Sequence, residues 1–257
     1  MHDGLLFELA ARLGTSGIAV AIDPHAGVMS PATRDNDASP FYGAAKLASP
    51  GCSVAFSWTN GSLWQGMLTA GHCLPSGGNA ATPGDPMGSV SSGSRENWQT
   101  GVGTIPYTGQ STLRGDVALI QLWSGNTAEP RMWRGLPESN TSSIVKIVWQ
   151  RWSRDGDTYC TSAWHGEICG FTVDDVGRDE PYDDGTWARN VVKGHKDAGI
   201  CLQDGDSGGA VFTPYPGGVA AKGVISGYGD FFWACDQIFT DIQHPIQALP
   251  GGVVSAP

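Results

Sequence analysis

Charge is scarce in this chain of 257 residues: Asp, Glu, Lys and Arg together make up 16%. Basic residues are the scarcer sign, 15 against 25 acids, giving a formal net charge of −10. No Lys/Arg cluster is present to displace counterions from a phosphate backbone, which excludes a nucleic-acid partner. The acidic balance itself bears on solubility and not on fold. Long apolar runs are missing too. None approaches the ~20 residues that span a bilayer, so no membrane association is expected. The six cysteines include no C-x₂-C pair. That removes the usual zinc frameworks, and no metal or cofactor is expected. No internal repeat is visible.

A secretory leader is not evident either. Met1-His2-Asp3-Gly4 is not a basic n-region, and Glu8 and Arg12 interrupt the apolar character of residues 5–13. An even cysteine count nevertheless points to disulfides and an oxidising compartment. Secretion is therefore expected from the chemistry, with the start of the precursor lying outside this sequence.

Glycine, by contrast, reaches 37 residues and proline 16. Short apolar stretches at 53–58, 63–68, 117–123, 143–149, 210–212 and 220–225 are separated by Gly, Pro, Ser and Asn. This spacing suits a β-sandwich or barrel. Only near the start does another pattern occur. Leu5, Leu6, Leu9 and Leu13 recur at helical spacing before Gly14, a strand follows at 17–24, and 26–40 reads as a linker.

Three segments carry chemistry. Ser207 lies in Gly205-Asp206-Ser207-Gly208-Gly209, where flanking glycines allow a tight turn and let N–H groups face an oxyanion. Serine is a weak nucleophile and needs an imidazole within reach. Thr69-Ala70-Gly71-His72-Cys73 offers His72, and Gly115-Asp116-Val117-Ala118-Leu119-Ile120 offers an acid to orient it. The glycine spacing around Ser207 also fits an esterase elbow, but those enzymes run Ser, acid, His, the reverse of the order here.

The three segments resemble the His, Asp and Ser motifs of chymotrypsin-fold serine proteases, above all the secreted bacterial branch of streptogrisins and alpha-lytic protease. Asp37-Ala38-Ser39-Pro40-Phe41-Tyr42-Gly43-Ala44 is similar to the start of the mature streptogrisins, and the likeness runs over residues 35–250. It implies an all-β fold of two six-stranded antiparallel barrels with the active site between them, closed by a short C-terminal helix near 243–249. Residues 35–135 would form the barrel that carries His72 and Asp116. Residues 136–257 would form the one that carries Ser207 and the specificity pocket. Residues 1–34 would be a propeptide remnant and linker of a zymogen, cut within 35–40; an extension with no folding role is the alternative.

The resemblance also implies an activity: a secreted, monomeric serine endopeptidase that hydrolyses protein or peptide substrates through an acyl-enzyme. Its roles map onto Ser207 as nucleophile, His72 as base and then acid, Asp116 as orienting acid, and the N–H groups of Gly205 and Ser207 as oxyanion hole. Of fifteen possible pairings, sequence proximity and the family favour Cys52–Cys73, Cys160–Cys169 and Cys201–Cys235; the first would stabilise by ~3 kcal/mol in the chain-entropy model. Leu202, Gln203 and Asp204 would form one wall of the primary pocket. Ser226, Gly227 and Tyr228 would pair with the substrate backbone, with Ser226 also touching Asp116. No acid stands at the pocket floor and no histidine precedes Ser226. A charged side chain would be costly to desolvate there, and small or medium apolar residues are expected.

Three positions depart from the family. Tyr228 replaces a glycine that opens the pocket, which favours small residues or a homologue that binds peptides without cutting them. Thr161 stands where relatives carry an arginine that pairs with the acid before the nucleophile, so Asp206 needs another partner. Asp204 sits next to the oxyanion hole and is expected to face solvent. Elsewhere, Asp174, Asp175, Asp179, Glu180, Asp183 and Asp184 make a solvated acidic loop or, less simply, a calcium site. Trp149 and Trp152 are candidates for a binding surface, with core packing expected for most of the ten tryptophans.

Overall fold

Short β-prone stretches broken by glycine and proline cannot form long helices, and the chain resolves them into two main sets of strands. One is a six-stranded antiparallel sheet. The other is a nine-stranded set, antiparallel except where Phe41–Gly43 pairs with Ala128–Trp133 and Ser142–Val148 with Gly218–Phe231. The computed structural model describes residues 32–49, 51–61, 64–90, 105–106, 113–231 and 234–257. The helix and strand expected at 5–13 and 17–24 lie outside the described residues. From Ala32 to Pro257 the chain forms one unit.

The first sheet runs in the order Gly252–Val253, Ser57–Thr59, Gln65–Thr69, Ala118–Leu122, Pro86–Val90 and Asn79–Ala81. Ala118 faces Thr69 and Leu119 faces Leu68 across its centre. Both strands therefore end at the same edge, where Thr69 leads into the turn of His72 and Asp116 leads into Ala118. The strand Gly252–Val253 returns the chain end to this sheet, against Trp58 and Thr59.

Six strands of the second set close into a ring. Thr158–Ala163 pairs with Gly166–Pro181, which pairs with Trp187–Lys196, and that with Ala234–Asp241. Next come Gly218–Phe231 and Ala210–Tyr215, and the last pairs back onto Thr158–Ala163. Inside this ring lie Tyr159, Phe171, Val173, Val211, Ile225 and Phe239. A separate buried cluster joins Met67, Leu68, Leu119 and Ile120 of the first sheet to Phe212 and Val224 of the second. Each such side chain contributes ~2 kcal/mol on burial.

The all-β architecture with its short terminal helix, Gln243–Ala248, is as expected. Asp241 accepts the N–H of Gln243 at 2.9 Å, and Pro245 falls where the helix has no N–H to lose. All three implied disulfides are formed. Ahead of the first sheet, the 3-10 turn Arg34–Asn36 buries Arg34, and Asp37 just after it is buried as well.

Candidate active site

The edge where the central strands of the first sheet end carries His72, in a 3-10 turn held by the Cys52–Cys73 disulfide. Asp116 is fully buried beneath it. Its Oδ1 accepts the backbone N–H of His72 at 2.9 Å, and its Oδ2 lies 2.7 Å from the His72 Nδ1. One carboxylate thus fixes both the backbone and, through Nδ1, the ring. Burial lowers the His72 pKa, but the charge of Asp116, the hydrogen bond to it and the charge of Asp184 together raise it above its ordinary value.

Ser207 sits half-buried on the loop before Ala210–Tyr215, which docks against this turn. Its carbonyl accepts the N–H of Ser53 at 2.8 Å and lies 3.7 Å from the Cys73 sulfur, itself 4.0 Å from the His72 Nε2. Two glycines make that docking possible. Gly208, at φ +84°, lies where a Cβ would run into Ser53 O, Thr69 Oγ1 and Ala70 N. Gly205, at φ +97°, has the Trp164 ring pressed against it. Among the described residues, neither the N–H of Gly205 nor that of Ser207 donates to a protein acceptor, whereas Asp206 N is spent on Gln203 O at 3.0 Å. Two donors beside Ser207 are therefore uncommitted.

Asp206 is 1% exposed, and its partner is His165. Oδ1 accepts the backbone N–H of His165 at 2.9 Å and lies 3.1 Å from its ring Nδ1, while Oδ2 accepts Gln203 N at 2.9 Å. The histidine takes the place of the missing arginine from the same hairpin, four residues beyond Thr161.

The pocket residues fall in several environments. Leu202 is buried in the interior of the second ring and Gln203 is exposed. Asp204 is exposed, as expected, and accepts a hydrogen bond from the Tyr228 hydroxyl at 3.0 Å. That bond ties the two expected walls of the primary pocket to each other, with Tyr228 still 38% exposed. Gly227 pairs with Ile238 and Tyr228 with Gln237.

Ser226 needs a correction: its hydroxyl bonds Thr240 Oγ1 at 3.2 Å, and the hydroxyl that reaches Asp116 belongs to Tyr182. The Tyr182 Oη is 3.1 Å from Asp116 Oδ2 and 2.6 Å from Ser226 O. Its ring lies 5.3 Å from that of His72. The reason is topological. Tyr182 caps the long hairpin Gly166–Pro181 with Trp187–Lys196, which folds over the site and fills the space beside Gly227.

That hairpin carries the acidic stretch, several of whose carboxylates are taken up locally. Asp174 bonds His195 at 2.6 Å, Asp179 pairs with Arg189 at 3.0 Å, and Asp184 caps Thr186. Trp149 and Trp152 lie outside the site: Arg151 and Lys222 stack on the first, and the exposed second packs on His244. Sequence reasoning missed Tyr182 and His165. The only signals for them were an aromatic residue within an acid-rich turn and a histidine within the Cys160–Cys169 hairpin.

This is the fold of the chymotrypsin-like serine proteases. A family model described as trypsin matches residues 41–242, and the chain belongs to that family of serine-type endopeptidases. Similar solved structures are bacterial. Nocardiopsis protease is 20% identical with a TM-score of 0.63, over 83% of this chain and 98% of its own. Thermobifida fusca protease A is 22% identical with a TM-score of 0.62, over 84% and 98%. Cellulomonas bogoriensis chymotrypsin is 21% identical with a TM-score of 0.59, over 84% and 98%. No curated protein sequence matches the chain.

Proposed function

We propose that this protein is a secreted serine endopeptidase that cleaves protein or peptide substrates after small or medium apolar residues. The observation that carries the reading is the His72 ring held by Asp116 beside a serine whose neighbouring N–H groups are uncommitted. Ser207 Oγ attacks the scissile carbonyl carbon and gives its proton to His72 Nε2. The carbonyl oxygen becomes an oxyanion, held by the N–H groups of Gly205 and Ser207 at about 3 kcal/mol per donor. The C–N bond breaks as His72 returns the proton to the leaving amine. Water then repeats the sequence on the acyl-enzyme and releases the acid, restoring Ser207.

The preference for small side chains is supported by the Tyr228–Asp204 bridge, and the sequence, which offers no acid at the pocket floor position, disfavours charged ones. Secretion is supported by three disulfides; among the described residues no helix is long and apolar enough to cross a membrane. The division into two barrels near residue 135 remains part of the proposal. A second reading, a homologue that binds peptides without cutting them, draws on the same bridge and on Tyr182 occupying the Ser226 carbonyl, a natural acceptor for a substrate N–H.

A fluorophosphonate probe separates the two. The disulfide-intact protein should form an adduct at Ser207, absent in Ser207→Ala and His72→Ala. Folded protein that gives no adduct would establish the binding reading instead.

A further inference from the structure

Arg34 is a buried cation with no part in that mechanism. It has no exposed surface, and its Nη1 donates to Ala163 O at 2.6 Å, across 129 residues of sequence. Nε and Nη2 have no hydrogen-bond partner among the described residues. A guanidinium stripped of water needs compensating charge. Burial pulls the Arg34 pKa down to about 10, against the opposing charges of Glu167, Asp206 and Asp35 in that order. Glu167 is already forked by Arg134, at 2.6 and 2.7 Å. Asp206 is the acid of the nucleophile loop.

The geometry leads to the same loop. Ala163 ends its strand, and the turn Trp164-His165 follows. Both N–H groups of that turn hold the nucleophile loop. Trp164 N donates to Ser53 Oγ at 2.9 Å, which donates onward to Gly205 O at 2.8 Å. His165 N donates to Asp206 Oδ1. The N-terminal segment grips the turn from its other side. Arg34 takes the carbonyl, and the Lys46 ammonium lies 3.7 Å over the Trp164 ring while pairing with Asp35 at 4.0 Å.

We propose that Arg34 is a positioning residue for the oxyanion hole: it fixes the 163–165 turn and, through it, the Gly205 peptide and the Asp206 carboxylate. This role rests on the peptidase reading. It also places maturation. Hydrolysis of a peptide bond between residues 34 and 40 would cut the guanidinium loose from the strands it serves. The mature enzyme therefore begins at or before Arg34, upstream of the 35–40 stretch suggested by family resemblance.

The test compares the full chain with Arg34→Ala, Arg34→Met and Arg34→Lys, each checked for fold by near-UV circular dichroism. Acylation of Ser207 by a fluorophosphonate should slow on the order of 100-fold in the Ala and Met variants, the cost of a displaced oxyanion donor. For a peptide substrate the loss should fall in kcat, with KM little changed. Arg34→Lys, which keeps the charge, should recover about tenfold. Equal labelling rates in Arg34→Ala and the unaltered chain would overturn the role of Arg34 while leaving the peptidase reading intact. No labelling of the folded, unaltered chain would overturn both. N-terminal sequencing of active, self-processed protein decides the matter even if the variants do not fold. A start at or before Arg34 supports the proposal, and a start within 35–41 refutes it.

Discussion

Asp37 offers the sharpest test of how the N-terminal segment is held. Its carboxyl is 1% exposed, accepts the Tyr42 N–H at 2.9 Å through Oδ2, and has no hydrogen-bond partner for Oδ1 among the described residues. Burial pushes its pKa up to about 7 against the pull of the Tyr42 N–H, the nearby Trp133 indole and the Ala38 N–H. In the unfolded chain the same group ionises near 3.8. Between these values the folded state binds a proton that the unfolded state has released, so stability falls as pH rises. Each pH unit in the window costs about 1.4 kcal/mol. From about pH 4.5 to about pH 7, Asp37 alone should remove about 3 kcal/mol, with little further loss above.

Asp37→Asn keeps the shape and the acceptor for Tyr42 but cannot titrate. Urea unfolding of both proteins, with disulfides intact and Ser207→Ala in both to prevent autolysis, should therefore give curves that diverge with pH. The wild type should lose about 3 kcal/mol relative to the variant between the acidic and neutral measurements. Other groups cancel in the difference. Asp157, for example, is held at about 2 by Arg151 and Lys222 despite its burial, and its contribution is lost only as pH falls below the window. Parallel profiles for the two proteins would refute the reasoning, because they would mean that Asp37 is ionised or solvated in the native state.

Three other outcomes are expected. The acid limb of kcat/KM should have its midpoint above the ordinary imidazole value of 6.5, because protonated His72 cannot accept the Ser207 proton; Asp184→Asn should move that midpoint down, and an unmoved midpoint would exclude Asp184 as a contributor. Tyr182→Phe removes a hydroxyl bonded to a buried carboxylate, which should cost about tenfold in kcat/KM with the fold retained, and a full-rate variant would show that Asp116 needs only His72. Tyr228→Ala breaks the bridge to Asp204, so the ratio of cleavage after Leu or Phe to cleavage after Ala should rise by about tenfold in a peptide series; an unchanged ratio would show that the ring does not limit the pocket.

What the sequence discloses and what it conceals divide along a physical line. His72, Asp116 and Ser207 are legible because each needs particular neighbours along the chain: glycines that permit φ +84° at Gly208, a cysteine that staples the His72 turn, a strand that begins just past Asp116. The β-architecture is legible for the same reason, since turn residues and alternation are local properties. The groups that hold these residues in place are not local. Tyr182 reaches Asp116 from 66 residues away, His165 reaches Asp206 from 41, and Arg34 reaches Ala163 from 129. A tyrosine in an acidic hairpin and an arginine in a linker satisfy no periodicity, and only the tertiary fold brings them to the site. The pocket lies between these cases. Ser226 and Tyr228 do share the strand Gly218–Phe231, but which hydroxyl meets Asp116 depends on how far the hairpin above them leans. A family arginine can thus be lost at Thr161 without leaving Asp206 exposed or unpaired. The demand is for hydrogen-bond donors and positive potential around a buried carboxylate, and His165 and Arg34 meet it from different segments. The chemistry is written in contiguous residues, whereas its support can move through the sequence as long as it arrives at the same atoms.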